Sequence, residues 1–151
     1  GVMIPAVLPE AGLILALTAP PFMALCVMIG LHWSLKSRGA IASVVGAVIV
    51  AALVAAVVGG CGFNAGRSIP AVGPALLGLS PFATGLALVQ PVDAMYETVV
   101  NAGGGGLLTA RIGLLIGAAA SAGIHLGAVW ALHSQMVRRF DMTVRKLAGT
   151  A

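Results

Sequence analysis

The sequence predicts an all-α integral membrane protein with three transmembrane helices and a re-entrant or interfacial helical region before the last span. Of its 151 residues, 60% are hydrophobic and only 8% are charged, whereas a soluble domain carries about 25% charged residues. Residues 11–35, 39–66 and 112–137 contain no Asp, Glu, Lys or Arg, and apolar runs longer than about 18 residues are typical of membrane spans. The chain is therefore predicted to be a single membrane domain, 1–151, without a separate soluble domain.

The first two spans are predicted at 11–33 and 41–59. Pro20 and Pro21 interrupt the first span, and because proline frees a helical carbonyl, we expect a kink there. A break with a short helix before Pro20 is the alternative. The glycine-rich run 59–66 is expected to end the second helix, since glycine readily leaves helical geometry.

The segment between the second and third spans, 61–106, is the least regular part of the sequence. Four prolines divide its apolar stretches into pieces too short to cross a membrane: Pro70, Pro74, Pro81 and Pro91. We therefore expect residues 74–91 to enter the outer membrane face without crossing. The alternative is one poorly formed span from Val72 to Val92. The glycine run 103–106 is expected to be a flexible joint.

The third span is predicted at 107–137 and is unusually long. Its charge-free part, 112–137, would form about 39 Å of helix at about 1.5 Å per residue. Because the hydrocarbon layer is about 30 Å thick, the helix is expected to tilt or to project. Four small residues at helical spacing are predicted to pack this span on another helix, since missing side chains let backbones approach: Gly113, Gly117, Gly123 and Gly127.

The distribution of cations predicts the orientation of the protein in the cytoplasmic (inner) membrane. Lys36 and Arg38 lie between the first two spans, and more cations lie in the tail 138–151. The positive-inside rule therefore predicts that the loop 34–39 and the C-terminal tail are cytoplasmic, and that 61–106 is external. The start of the chain is then external, which favours a preceding membrane segment. The cations do not form one patch, so no nucleic-acid partner is expected.

The three histidines are the candidates for cofactor chemistry. His32 and His133 are expected at similar depths, where they could hold a haem or line a quinone site, or lie in the membrane interface beside tryptophans. His125 lies deeper and needs a hydrogen-bond partner, expected on a neighbouring helix. Arg111 is expected to contact an anionic substrate or headgroup, or to snorkel to the interface. No catalytic Ser/His/Asp, Cys/His or paired-carboxylate pattern is visible, so we predict neither enzyme activity nor a bound cofactor or metal.

Three segments resemble ABC-2-type transporter permeases. Residues 30–53, GLHWSLKSRGAIASVVGAVIVAAL, resemble the place in those permeases where one span ends, a Ser-x-x-x-Arg turn follows and an Ala-rich span begins. Residues 79–91, LSPFATGLALVQP, resemble their external Asn-Pro-Phe element before the last span, with Ser80 in place of Asn. Residues 137–149, VRRFDMTVRKLAG, are similar to the basic end of their last helix. The resemblance covers the second, three-span half of such a permease.

The resemblance implies a membrane-spanning permease subunit of an ATP-driven transporter that moves a lipid, a drug or another amphipathic substrate. It also implies a separate cytoplasmic ATPase subunit, which Lys36, Ser37 and Arg38 are expected to contact. Membrane lipids and other transmembrane helices or subunits are the remaining expected partners. The alternative is a non-transporting membrane anchor or structural subunit of a respiratory or photosynthetic complex, associated with a haem or a quinone.

Overall fold

The computed structural model of the chain describes residues 10–36, 40–101 and 105–147. Every regular element in those residues is helical: α1 Ala11–Lys36, α2 Ala40–Ser68, α3 Gly73–Leu77, α4 Pro81–Val89, α5 Pro91–Ala94, a π-helical turn Glu97–Asn101, and α6 Gly106–Leu147. Within this described part, three helices (α1, α2 and α6) are long and apolar enough to cross a membrane. The predicted all-α membrane fold with three spans is confirmed.

The first helix, α1, runs unbroken through Pro20 and Pro21. The alternative of a helix break before Pro20 is therefore wrong. Membrane helices tolerate internal prolines because neighbouring helices and hydroxyl side chains can satisfy the freed backbone groups. The carbonyls that Pro20 and Pro21 free are those of Ala16 and Leu17, four residues earlier, whereas the buried Thr18 donates its Oγ1 hydrogen to the Ile14 carbonyl at 3.0 Å. The kink itself stays a prediction.

The second helix, α2, continues to Ser68, so the prediction that the run 59–66 ends it is wrong. Gly62 and Gly66 from this run are buried against α3. A Cβ atom on Gly62 would lie 2.8 Å from the carbonyl oxygen of Leu76, a distance that real side chains do not adopt. These glycines allow two helices to approach closely. The irregular region accordingly begins after Ser68, rather than at residue 61.

The helices α3, α4 and α5 form a hairpin, residues 73–94, that descends beside α2 and returns. Gly73 lies against Gly66 of α2, and Ser80 at the tip of the hairpin lies against Gly59. Seven residues of α2 separate these two levels, which is about 10 Å of helix. The chain then comes back until the Ala94 carbonyl again lies beside Gly66. The alternative of one span from 72 to 92 is therefore wrong.

The tip of this hairpin lies beside the membrane-spanning part of α2, which extends over Val44–Ser68. Gly59, which contacts the tip, is nine residues inside that part, or about 13 Å from its end. This position of the tip is the one that the re-entrant form requires, and the choice between the re-entrant and the interfacial form stays a prediction. The membrane face that the hairpin enters stays a prediction.

The last helix, α6, extends over Gly106–Leu147 and is longer than the predicted span 107–137. Its apolar part is Gly106–Arg138, 33 residues, or about 50 Å of helix. This exceeds the hydrocarbon thickness of about 30 Å, which again requires tilt or projection. The predicted tail 138–151 begins as a continuation of this helix. Residues 103 and 104 of the predicted glycine joint 103–106 lie outside the described residues.

The helices α1 and α6 run in the same direction, and α2 runs in the opposite one. Near the beginnings of α1 and α6, Glu10 forms an ion pair with Arg111. Further along, the ring centroids of Phe22 and His125 are 5.6 Å apart. Trp33, near the end of α1, packs on the first turns of α2. The end of α1, the beginning of α2 and the end of α6 therefore share one end of the bundle.

The hydrophobic core lies where the hairpin meets α1 and α6. Each of these elements contributes a fully buried apolar side chain: Ile14 from α1, Leu77 from α3, and Leu114 from α6. Met95, after α5, is buried with them. The hairpin is therefore part of the core of the bundle and separates α2 from much of α6.

Candidate functional site

The helix is broken between α3 and α4, at the tip of the hairpin around Ser80. This break is the most polar buried part of the described chain. Ser80 has an extended backbone, and its Oγ accepts a hydrogen bond from the Ala83 N–H at 3.5 Å, which caps α4. Pro81 then occupies the first position of the helix, where its missing N–H has no consequence. The Ser80 in this position has the capping role for which Asn is equally suited. The local sequence thus explains why one helix ends and another begins here.

The break leaves backbone carbonyls without their α-helical donors, and other groups take that place. Because Pro81 has no N–H, it cannot donate to the Leu77 carbonyl as a helical residue would, and the Ser80 N–H donates to that carbonyl at 3.3 Å. Thr84 Oγ1 donates to the Ser80 carbonyl at 2.7 Å and lies 3.1 Å from the Leu77 carbonyl. The next exposed carbonyl is that of Leu79, and it accepts a hydrogen bond from Ser121 Oγ of α6 at 2.9 Å. These bonds satisfy the requirement that backbone groups at membrane depth find partners within the protein.

The Ser121 hydroxyl also contacts the imidazole of His125, with Oγ and Nδ1 3.1 Å apart. The hydroxyl has one hydrogen, and it is donated to the Leu79 carbonyl, so Nδ1–H is the donor toward Oγ. His125 was expected to bond to a neighbouring helix, and that expectation is wrong. Its partner lies one turn earlier on α6 itself, and Ser121 connects it to the hairpin.

An aromatic cluster surrounds the same place. Phe22 of α1 meets the ring of His125 edge to face, with centroids 5.6 Å apart and an interplanar angle of 81°. Phe22 also meets Phe82 of α4, at 5.9 Å and 85°. Aromatic pairs favour such edge-to-face geometry. Three elements, α1, α4 and α6, are thereby joined beside the break, and neither Ser121 nor Phe22 was singled out from the sequence.

The glycines predicted to pack α6 on another helix fall into two groups. Gly113 and Gly117 are buried against α3, where a Cβ on Gly113 would lie 2.9 Å from Pro74 Cβ. Gly123 and Gly127 are exposed, and no atom of the described chain lies within 4 Å of the place where a Cβ would stand. Gly113 and Gly117 therefore allow α6 to pack closely on the hairpin. For the second pair, packing on another helix stays a prediction.

The structure gives no geometry for the predicted cytoplasmic contact. Lys36 is the last residue of α1, and Ser37 and Arg38 lie outside the described residues. The contact of these three residues with a cytoplasmic partner stays a prediction.

The other two histidines differ from His125 in their surroundings. His32 is half-buried near the end of α1, and His133 is exposed on α6, about two helical turns beyond His125. Among the described residues, no group of three or more His, Cys, Asp and Glu side chains is placed to hold a metal ion. The polar cluster at the break therefore consists of His125 with hydroxyl and backbone groups.

Arg111 forms an ion pair with Glu10 across the beginnings of α6 and α1. Both side chains are about one-third exposed, so this pair is close to a surface salt bridge, worth about 0–1 kcal/mol. No local sequence pattern pairs these two residues, because they are far apart along the chain. The pair joins the beginnings of two parallel helices.

No protein-family model, no curated protein and no solved structure matches the chain. Two features of the structure bear on function. One is the hairpin, whose carbonyls at the break are hydrogen-bonded, and the other is the orientation of the three long helices.

Proposed function

We propose that the chain is the membrane-spanning permease part of an ATP-driven, ABC-2-like transporter for a lipid, a drug or another amphipathic substrate. The observation that carries this proposal is the hairpin 73–94 between the second and third spans. The resemblance implies an irregular element in this place, before the last span. Its Ser80-Pro81-Phe82 sequence lies at the tip, where Ser80 caps α4.

The common end of α1, α2 and α6 is the proposed docking side for the ATPase subunit. Lys36 ends α1 and Arg138 lies in the last part of α6, both at this end of the bundle, and Arg38 follows Lys36 in the sequence. The positive-inside rule assigns such an end to the cytoplasm. An ATPase that drives the permease must bind on the cytoplasmic side. Lys36 and Arg38 are proposed to pair with acidic groups of that subunit.

The proposal is tested by isolating the protein from its native membrane and identifying the subunits that accompany it. We expect an ATPase subunit whose ATP hydrolysis rises with transport substrate in reconstituted vesicles. The double variant Lys36→Glu/Arg38→Glu should lower the coupled hydrolysis, while each single change should have a small effect, since rim ion pairs contribute about 0–1 kcal/mol each. Orientation must first be verified, because reversing two loop charges can reverse topology.

Two results would contradict the proposal. The first is isolation of an intact complex that contains no ATPase. The second is a visible absorption spectrum typical of haem in that complex, which would favour a subunit of an electron-transfer complex. Unchanged coupling in a correctly oriented double variant would assign Lys36 and Arg38 to orientation alone.

A further inference from the structure

An open apolar groove of about 520 Å³ lies between α2 and α4. Its floor is formed by small residues of α2, among them Ala52, Ala56 and Gly60. Phe63 of α2 and the α4 side chains Phe82 and Leu86 form its walls. Phe82 and Leu86 are more than half exposed, and they lie on the membrane-spanning part of the bundle. The groove therefore opens toward lipid.

A cation lies just beyond one end of this groove. The guanidinium carbon of Arg67 is 5.7 Å from the centroid of the Phe63 ring, and Arg67 is exposed in the last turn of α2. Phe63 is also the groove residue nearest that end of α2. The apolar groove is thus followed by a positive charge at the end of the membrane-spanning helix. An amphipathic anion is complementary to this arrangement, since it has an apolar tail next to a negatively charged headgroup.

The dimensions of the groove favour a hydrocarbon chain. From Ala52 to Phe63 the groove follows about 16 Å of helix, about half of the roughly 30 Å hydrocarbon layer. The groove therefore has about the length of one leaflet, which is the reach of a single acyl chain.

We propose that this groove binds one acyl chain of an anionic phospholipid whose phosphate contacts Arg67. The lipid would belong to the leaflet that the hairpin enters. Its acyl chain would lie on the small residues of α2, and the ring of Phe63 would separate the chain from the headgroup. This inference does not depend on transport, since a bound structural lipid needs only the groove and the cation.

The test uses the full chain in phosphatidylcholine vesicles with spin-labelled phosphatidylglycerol or spin-labelled phosphatidylcholine as the probe. We expect an immobilised fraction that is larger for phosphatidylglycerol. Ala56→Leu should remove most of that fraction, because Ala56 is exposed and a leucine there fills the groove without entering the core. Ala120→Leu, the same change at an exposed position of α6, is the matched control and should leave it unchanged.

A second variant separates the headgroup from the groove. Arg67→Gln is expected to lower the preference for phosphatidylglycerol over phosphatidylcholine about fivefold, and Arg67→Lys to retain most of it. Circular dichroism verifies that each variant keeps its helix content. An unchanged preference in Arg67→Gln, or an unchanged immobilised fraction in Ala56→Leu, would overturn the proposal. A change of oligomeric state in Ala56→Leu without any change in lipid would also overturn it and assign the groove to another protein chain.

Discussion

A single hydroxyl, that of Ser121, connects the hairpin to the imidazole of His125. It donates to the Leu79 carbonyl at the break and lies 3.1 Å from His125 Nδ1. Without it, a backbone acceptor and an imidazole donor would both be left without these partners in an apolar environment. Such groups are expensive at membrane depth. Ser121 therefore has a structural role that its residue type alone does not indicate.

Ser121→Ala should reduce the free energy of unfolding by about 1–2 kcal/mol, the range for unsatisfied buried polar groups and membrane hydrogen bonds. Ser134→Ala is the matched control, because Ser134 donates to the Ala131 carbonyl within its own helix. Its effect should stay within about 0.5 kcal/mol. Reversible unfolding in mixed micelles measures both. Equal losses in the two variants would contradict the assigned role of Ser121.

Ala71 has a positive φ of 65° in the turn between α2 and α3. The Val72 N–H donates to the Pro70 carbonyl at 2.8 Å, which closes a tight three-residue turn around it. A left-handed backbone costs a non-glycine residue about 1–2 kcal/mol. Ala71→Gly should relieve that strain, less about 0.5–1 kcal/mol for the greater freedom of unfolded glycine.

The net stabilisation expected for Ala71→Gly is therefore up to about 1.5 kcal/mol. Ala75→Gly, in α3, is the control and should destabilise by about 0.5–1 kcal/mol, the usual helix penalty. The two changes are chemically identical, so opposite signs in the same unfolding assay would isolate the backbone conformation. A loss of stability in Ala71→Gly would contradict the assigned strain.

At the scale of elements, α3 is held between glycine pairs on both of its neighbours. Gly62 and Gly66 of α2 approach it from one side, and Gly113 and Gly117 of α6 from the other. Each pair has a spacing of four residues, so both glycines lie on one helical face. The two long helices thereby hold the short one through close backbone contacts.

Gly117→Ala should destabilise the fold by about 1–3 kcal/mol, the usual range for overpacking, because its Cβ would lie 2.9 Å from Gly78 Cα. Backbone atoms cannot move aside as a flexible side chain can. Gly123→Ala on the same helix is the matched control, since nothing of the described chain lies within 4 Å there. Thermal unfolding in detergent should separate the two variants. Similar stability for both would contradict the close packing of α3.

The sequence was sufficient for the long helices and insufficient for the contacts of the hairpin. Charge-free runs predict spans because the bilayer excludes charge, and that physical cause is local. The end of α2 was mispredicted because glycine either ends a helix or admits a neighbour, and only the position of α3 decides between them. The bond from Ser121 to Leu79 joins residues 42 positions apart. Pro81 indicates the break, but no local pattern indicates which distant hydroxyl donates to the Leu79 carbonyl there.

At the scale of the whole molecule, the orientation of the bundle is open to a direct test. The shared end of α1, α2 and α6 carries the cationic loop, and the positive-inside rule assigns it to the cytoplasm. With Cys26 and Cys61 replaced by alanine, an impermeant thiol reagent should label Asp93→Cys in sealed cells. Ser37→Cys and Thr150→Cys should react only after permeabilisation. Efficient labelling of the latter two in sealed cells would reverse the predicted topology.

The hydrogen bond between the break and α6 joins two segments that are synthesised at different times. The Leu79 carbonyl leaves the ribosome before its donor, Ser121, which follows 42 residues later. Until that segment is made, water is the partner available to the carbonyl, because hydrocarbon offers none. The insertion of α6 therefore supplies the donor that this carbonyl needs at membrane depth, and the last span stabilises the middle of the chain.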